Sequence, residues 1–270
     1  AYFCQSPPLP LVKRAIESLM EDDPYGQTWA DEQLEGLFRE GAPGFEEGES
    51  QAVIVRSLKK KGLNGQIVTF AGLGLGDKTI DVFLKLQGFF NASNAAAAAA
   101  TALAMGIGWG QVKEGLERLV QIPGRHEIRE VGDKKLILID DSYNSNPTAV
   151  ASALGTLCLL GKKGKRAAIL GDMLELGPKS PKFHYQVGLF AARMGLDWLA
   201  LVGKRSLEMA RGAIAGGMAE DRVSHFIDPS SAAFWVYFNV SKGTAVLVKG
   251  SRAIGLESEV NNLLLLGEKK

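Results

Sequence analysis

The sequence predicts an α/β protein whose second half is a doubly wound domain with a largely parallel sheet, preceded by a smaller unit built on an antiparallel meander. Three observations carry this. From Leu136 onward, short apolar runs alternate with amphipathic stretches of helical length, the rhythm of strands covered by helices on both faces. Ile122-Pro123-Gly124 punctuates the chain between two different rhythms, which divides it into residues 1–121 and 122–270. Three of the later apolar runs stop abruptly at polar clusters, where open parallel sheets bind their ligands.

Composition limits the function classes. With 270 residues, 46% hydrophobic and 23% charged, the chain has the size for two domains and the balance of a folded protein. A net charge of +1 provides no global field for nucleic acid or an anionic bilayer, so neither partner is expected. The longest apolar run, Ala95–Met105, is too short to cross a membrane, and no basic-then-apolar leader opens the chain. Cys4 and Cys158 stand far apart without metal-ligand spacing, which points to a reducing, cytoplasmic setting. The start at Ala1 rather than methionine points to a fragment or a processed chain.

Each element has its own signal. Leu11–Met20 and Asp31–Glu40 read as short helices after an extended, proline-rich opening, with an acidic, glycine-rich stretch over Gly41–Ser50. Ala52–Arg56, Gln66–Phe70 and Thr79–Leu86 read as strands joined by turns at Leu63-Asn64-Gly65 and Gly74–Asp77. Asn94–Met105 is alanine-dense and predicts a closely packed helix, followed by a second over Trp109–Leu119. Beyond the boundary, Leu136–Ile139, Ala167–Leu170, Trp198–Val202 and Ala245–Val248 predict strands. Helices are expected at Thr148–Leu160, Phe183–Met194, Ser206–Ala215, Ser230–Val240 and Ala253–Leu265.

The polar clusters at the strand ends are Asp140–Pro147, Gly171–Gly177 and Lys249–Arg252. Together they offer carboxylates and amides for hydroxyls and amines, and a Lys/Arg pair for carboxylate or phosphate. Each also has a plain structural role open to it. Asp140–Pro147 has the residues of a capped helix start, Gly171–Gly177 those of a loop, and Lys249–Arg252 those of a solvated rim. Their coincidence at strand ends favours a site. Of the histidines, His184 falls on a helix as a core or cap residue, while His126 and His225 show no partner in sequence. No His/Cys/Asp cluster at ligand spacing predicts a protein-built metal site. Gly72–Gly76 lacks the spacing of a dinucleotide loop and reads as a hairpin turn.

These clusters carry a resemblance. Asp140-Asp141-Ser142-Tyr143-Asn144-Ser145-Asn146-Pro147 resembles the Asp-Asp-Ser-Tyr-Asn-Ala-Asn-Pro motif of the Mur ligases, in the branch that adds D-alanyl-D-alanine to UDP-N-acetylmuramoyl-tripeptide, with Ser145 replacing alanine. Gly171–Gly177 is similar to that branch's Gly-Asp-Met-x-Glu-Leu-Gly, followed by His184 and Val187-Gly188. Val248–Arg252 resembles its Val-Lys-Gly-Ser-Arg, Pro123-Gly124-Arg125 the family's junction, and Asn91–Asn94 its Asn-x-x-Asn helix start.

The resemblance implies a partial central ATPase domain over residues 1–121 and a Rossmann-like C-terminal Mur ligase domain over 122–270. It implies an ATP- and Mg²⁺-dependent amide ligase of peptidoglycan precursor synthesis, working through an acyl phosphate. Its partners would be UDP-N-acetylmuramoyl-tripeptide and D-alanyl-D-alanine. Asn91 and Asn94 would face the adenine. Arg125 and Asp141 would reach the ribose or phosphates, supported by Tyr143 and Asn144. Asp172, Glu175, Lys249, Ser251 and Arg252 would lie near the dipeptide or the peptide end of the precursor. Two departures stand out. No Gly-x-x-x-x-Gly-Lys-Ser/Thr loop occurs in the 270 residues, and Phe90 stands where many relatives have histidine. The missing phosphate loop implies that the chain alone does not turn over. It also leaves open a non-catalytic nucleotide- or partner-binding module, and a related ligase of the folylpolyglutamate or cyanophycin type remains a second alternative.

Overall fold

The computed structural model describes residues 53–61, 64–162 and 165–268, which separate into two units between Gln121 and Ile122. The helices expected at Leu11–Met20 and Asp31–Glu40, and Cys4, lie outside the described residues.

In the first unit, β1 (Val53–Lys60), β2 (Gln66–Gly72) and β3 (Gly76–Leu84) form an antiparallel sheet in that order. Alternation places Val68 and Phe70 of β2 and Val82 and Leu84 of β3 on one fully buried face. Two helices cover it, α1 (Phe89–Ala104) and α2 (Trp109–Glu117). The contact stripe of α1 is Ala92, Ala95, Ala96 and Ala99, whose short side chains let the helix approach the sheet closely. Helix α1 starts at Phe89, earlier than the alanine run predicts. Gln66 fixes that start: its Nε2 donates to the carbonyls of Leu86 and Gly88 at 3.0 and 2.9 Å, and its Oε1 accepts the Gly88 N–H at 3.2 Å. The β2–β3 turn runs through Gly74 and Gly76 with φ of 73° and 56°, so the glycine run is a hairpin turn as its sequence indicated.

The second unit is a six-stranded sheet in the order β4-β5-β9-β6-β7-β8, where β4 is Glu127–Val131, β5 Leu136–Asp141, β6 Arg166–Gly171, β7 Trp198–Val202, β8 Val223–Phe226 and β9 Ala245–Lys249. All neighbours are parallel except β4 against β5. The helices are α3 (Pro147–Leu160), α4 (Ser180–Arg193), α5 (Leu207–Ala215), α6 (Ala232–Asn239) and α7 (Glu257–Glu268). Strand alternation splits the core in two. Ala168, Leu170, Leu199, Leu201 and Leu247 face α3, α4 and α5, whereas Ala167, Ile169, Ala200, Val202 and Val248 face α6 and α7.

Right-handed crossovers explain the split. The steps β5→β6→β7→β8 all run one way across the sheet and lay α3, α4 and α5 on one face. The return from β8 to β9 runs the other way, so α6 must lie on the opposite face. Strand β9 therefore sits between two strands whose following helices cover the other face, the switch point at which such sheets open a crevice.

Two strands carry too little apolar pattern to be seen in the sequence. Strand β4 (Glu-Ile-Arg-Glu-Val) is a mostly polar edge, and β8 is four residues long. Helix α7 begins at Glu257, after a short 3₁₀ turn over Arg252–Ile254 occupies the expected helix start.

Candidate functional site

The carboxyl ends of β5, β9, β6 and β7 form one edge, and the antiparallel β4 adds its own beginning to it, because Glu127 pairs with Asp140. Arg125 and His126 are thereby brought to the end of β5.

At the centre of this edge Lys249 closes β9. Its side chain is 4% exposed, and its Nζ donates to Asp141 Oδ2 at 2.7 Å and to the Asn144 carbonyl at 2.8 Å. Asp141 is the register partner of Lys249 on the neighbouring strand. Burial pushes the Asp141 carboxyl up, but His126 and the Lys249 ammonium outweigh it and hold its pKa below the ordinary carboxylate value. His126 Nδ1 stands 3.8 Å from Asp141 Oδ2, beyond hydrogen-bond distance. Asp140 turns the other way. Its Oδ1 accepts the Ser142 N–H and hydroxyl at 3.2 and 2.7 Å, and Arg129 Nη2 lies 3.6 Å from Oδ2.

Tyr143 is the exposed tip of the turn that follows β5. Its N–H donates to the Gly124 carbonyl at 2.9 Å. A Cβ on Gly124, whose φ is 72°, would stand 3.3 Å from both the Tyr143 nitrogen and Ser142 Oγ, so glycine is what allows this approach. The Arg125 guanidinium carbon lies 4.1 Å from the Tyr143 ring centroid and that of Arg252 5.2 Å. Two cations on one aromatic ring at a strand-end crevice form a surface suited to a polyanion. Asn144 Oδ1 accepts the Ser145 N–H at 2.8 Å, and Asn146 caps α3 by accepting the Ala149 N–H at 2.8 Å.

The Gly171–Gly177 segment is held from three sides. Asp172 is buried, and its carboxylate accepts the Arg205 and Ser206 N–H groups at 3.1 and 2.6 Å. His184 Nε2 accepts the Met173 N–H at 2.9 Å while its Nδ1 faces the Ser180 carbonyl at 2.7 Å, which sets the neutral Nδ1–H tautomer. Burial pushes the pKa of this imidazole down. Ser251 Oγ accepts the Leu174 N–H at 2.9 Å. Glu175, exposed with φ of 63°, is held in the left-handed region that side chains seldom adopt, at a cost of order 1 kcal/mol.

The structure thus gathers Arg125, Asp141, Tyr143, Asn144, Lys249, Ser251 and Arg252 at the ends of β5 and β9, with Asp172 and Glu175 following β6. Asn91 and Asn94 belong to the first unit, where Asn91 Nδ2 donates to the Gln87 carbonyl at 2.7 Å and Asn94 is exposed. Sequence reasoning did not single out Gly203-Lys204-Arg205-Ser206. This cluster follows the apolar β7, and the same strand-end rule points to it. His225 finds its partner here, with Nε2 2.7 Å from the Gly203 carbonyl. Among the described residues, no group of three or more His, Cys, Asp or Glu is placed to hold a metal ion. None of their helices is long and apolar enough to cross a membrane.

These features define a Rossmann-like α/β domain with a cationic, aromatic rim at its switch point. Residues 124–252 match the family model for the Mur ligase, glutamate ligase domain, and this part of the chain is a Mur ligase C-terminal domain. The chain is 35% identical over 187 residues to the UDP-N-acetylmuramoyl-tripeptide–D-alanyl-D-alanine ligase of Escherichia coli, covering 68% of this chain and 39% of the relative. It is 34% identical over 182 residues to the ligase of the same name from Bacillus subtilis, covering 67% and 39%. The chain therefore spans about two fifths of the length of these relatives. Among solved structures, MurF from Acinetobacter baumannii aligns with a TM-score of 0.66 at 25% identity, over 79% of this chain and 45% of that one. The MurF ligase of Thermotoga maritima, solved with ADP, shares the fold with a TM-score of 0.64 at 24% identity, over 79% and 46%.

Proposed function

We propose that this chain supplies the acceptor-side domain of an ATP-dependent amide ligase that joins D-alanyl-D-alanine to UDP-N-acetylmuramoyl-tripeptide in the cytoplasm. In this reading residues 1–121 correspond to the later part of the central ATP-binding domain and residues 122–270 to the C-terminal domain. One observation carries it: Arg125 and Arg252 share the Tyr143 ring at the switch-point edge of a Mur ligase domain.

ATP, when bound, supplies the phosphoryl group that activates the tripeptide's terminal carboxylate toward the dipeptide's amine. The residues of this chain bind and orient. Arg125 neutralises phosphate oxygens. Arg252, which the resemblance sets near the dipeptide or the peptide end of the precursor, shares the Tyr143 ring with it. Asn144 and Asp141 fix the turn that presents the ring. Asn91 and Asn94 keep the adenine role that the resemblance gives them. Glu175 and Ser251 border the acceptor side, with Asp172 shaping the loop that carries Glu175. Mg²⁺ is the ion such a ligase uses, but the donor set among the described residues offers it no cluster.

Since the 270 residues contain no phosphate loop, we expect no phosphate release from the chain alone with ATP, Mg²⁺, UDP-linked tripeptide and D-alanyl-D-alanine. The decisive test is a chimera in which residues 122–270 replace the matching domain of the Escherichia coli relative. Ligation of D-alanyl-D-alanine by the chimera supports the reading. A folded chimera that makes no amide, while the chain by itself binds ADP, favours the non-catalytic nucleotide-binding module, which the missing phosphate loop also favours.

A further inference from the structure

We propose that Lys249 is a positioning residue: it closes the Asp141–Asn144 turn and so holds Tyr143 against Arg125 and Arg252, without itself touching a ligand. The proposal rests on the nucleotide reading of that rim. It replaces the place near the dipeptide or the peptide end of the precursor that the resemblance gives Lys249.

The geometry is that of a clasp. One ammonium bonds the side chain of Asp141 and the main chain of Asn144, two atoms on either side of a two-residue span, Ser142-Tyr143. Tyr143 is thus the tip of a loop whose two ends are tied to the same nitrogen. The other restraint on Tyr143 is its N–H to the Gly124 carbonyl, which sets the ring beside Arg125. Lys249 is the final residue of a central strand and is 3% exposed, so its position is set by the sheet and not by the loop. A lysine has three donors, two of which are used here, and the side chain is nearly closed to solvent. The crevice in which a doubly wound fold usually seats its ligand is filled at its base by this internal pair. Ligand contacts are displaced outward to the rim that Tyr143 forms. The buried pair is also strict about its partners, because removing one charge leaves the other buried and unpaired. Arginine, a planar fork on a differently shaped stem, does not reproduce a clasp made by one compact nitrogen.

Three measurements on the full chain test this. First, lysine acylation of the native protein, mapped by mass spectrometry, is expected to spare Lys249 while labelling the exposed Lys204, with no change on adding ADP. Rapid labelling of Lys249 that ADP blocks would overturn the proposal. Second, Lys249→Met, checked for folding by thermal unfolding, is expected to speed amide exchange at residues 142–144 at least tenfold, with Lys249→Arg in between. Unchanged exchange in a folded variant counts against the clasp. Third, in ADP titrations Lys249→Met is expected to weaken binding about tenfold, and to add little on a Tyr143→Ala background, because both changes remove the same rim. Full additivity would mean that Lys249 meets the nucleotide independently of Tyr143. If the wild type binds no ADP, the nucleotide reading fails while acylation and exchange still decide the clasp. If Lys249→Met does not fold, Lys249→Arg and the acylation pattern decide it.

Discussion

The guanidinium of Arg125 lies over the ring of Tyr143 at 4.1 Å, and Gly124, the residue before Arg125, accepts the Tyr143 N–H. The segment that opens the second unit and the turn after β5 are therefore one structure. The ring is the part of Tyr143 that matters in this arrangement. Tyr143→Phe is expected to bind ADP within about twofold of the wild type, whereas Tyr143→Ala and Arg125→Ala each weaken it roughly tenfold, about 1.4 kcal/mol. Isothermal titration of the full chain and the three variants checks this. Equal losses in Phe and Ala variants would move the contact from the ring to the hydroxyl.

Ser145 is where the chain departs from the alanine of the related motif, and the hydroxyl it adds is buried with no hydrogen-bond partner among the described residues. A buried hydroxyl without a partner is a desolvation cost with no return. Ser145→Ala is therefore expected to stabilise the protein by about 1 kcal/mol in urea unfolding, with ADP binding unchanged. A loss of similar size would show that the hydroxyl has a partner in solution.

Where the sequence failed to reveal this site, the reason is the edge of the sheet. The apolar runs that become β5, β6, β7 and β9 are central strands, buried on both faces, and such strands announce themselves by continuous hydrophobicity. Strand β4 sets Ile128 and Val131 three apart among charged residues, without the period of two that marks a strand, so nothing in its pattern says that it pairs antiparallel with β5. Without β4 there is no way to place Arg125 and His126 beside Asp141. The strand-end clusters were legible for the same reason that central strands were, but the internal use of Lys249 and Asp172 was not. A lysine at a strand end reads the same whether its ammonium faces solvent or a carboxylate on the neighbouring strand. The Val187-Gly188 pair is another such case, a motif in the sequence whose meaning is entirely in a helix contact.

Gly188 on α4 and Gly212 on α5 each leave room for the other helix's backbone. A Cβ at Gly188 would lie 1.9 Å from the Met209 carbonyl oxygen, and one at Gly212 2.0 Å from that of Tyr185. Backbone cannot swing aside as a side chain can, so Gly188→Ala is expected to cost about 3 kcal/mol, the upper end of overpacking penalties. Gly115, inside α2, provides the opposite case, because a methyl added there would meet nothing within 4 Å. Gly115→Ala is expected to gain about 0.5–1 kcal/mol through helix propensity. Urea midpoints of the two variants against wild type test both signs at once.

His184 links the stability of the Asp172–Gly177 loop to pH. Its Nδ1–H donates to the Ser180 carbonyl and its bare Nε2 accepts the Met173 N–H, so a second proton on the ring would meet a donor instead of an acceptor. Burial adds to this, and the folded-state pKa lies below the ordinary 6.5. In the unfolded chain the imidazole takes its proton near pH 6.5, and in the folded chain it resists until lower pH. The contribution is therefore complete above about pH 6.5 and is lost as pH falls below it, levelling off only beneath the folded pKa. The slope attributable to this one residue is at most about 1.4 kcal/mol per pH unit. Urea unfolding at a series of pH values from neutral downward, for wild type and His184→Gln, separates the effect. The variant is expected to be less stable at neutral pH and to lack that part of the acid-side slope. If both proteins lose stability in parallel across the range, His184 is not held neutral and the Met173 anchor must rest on something else.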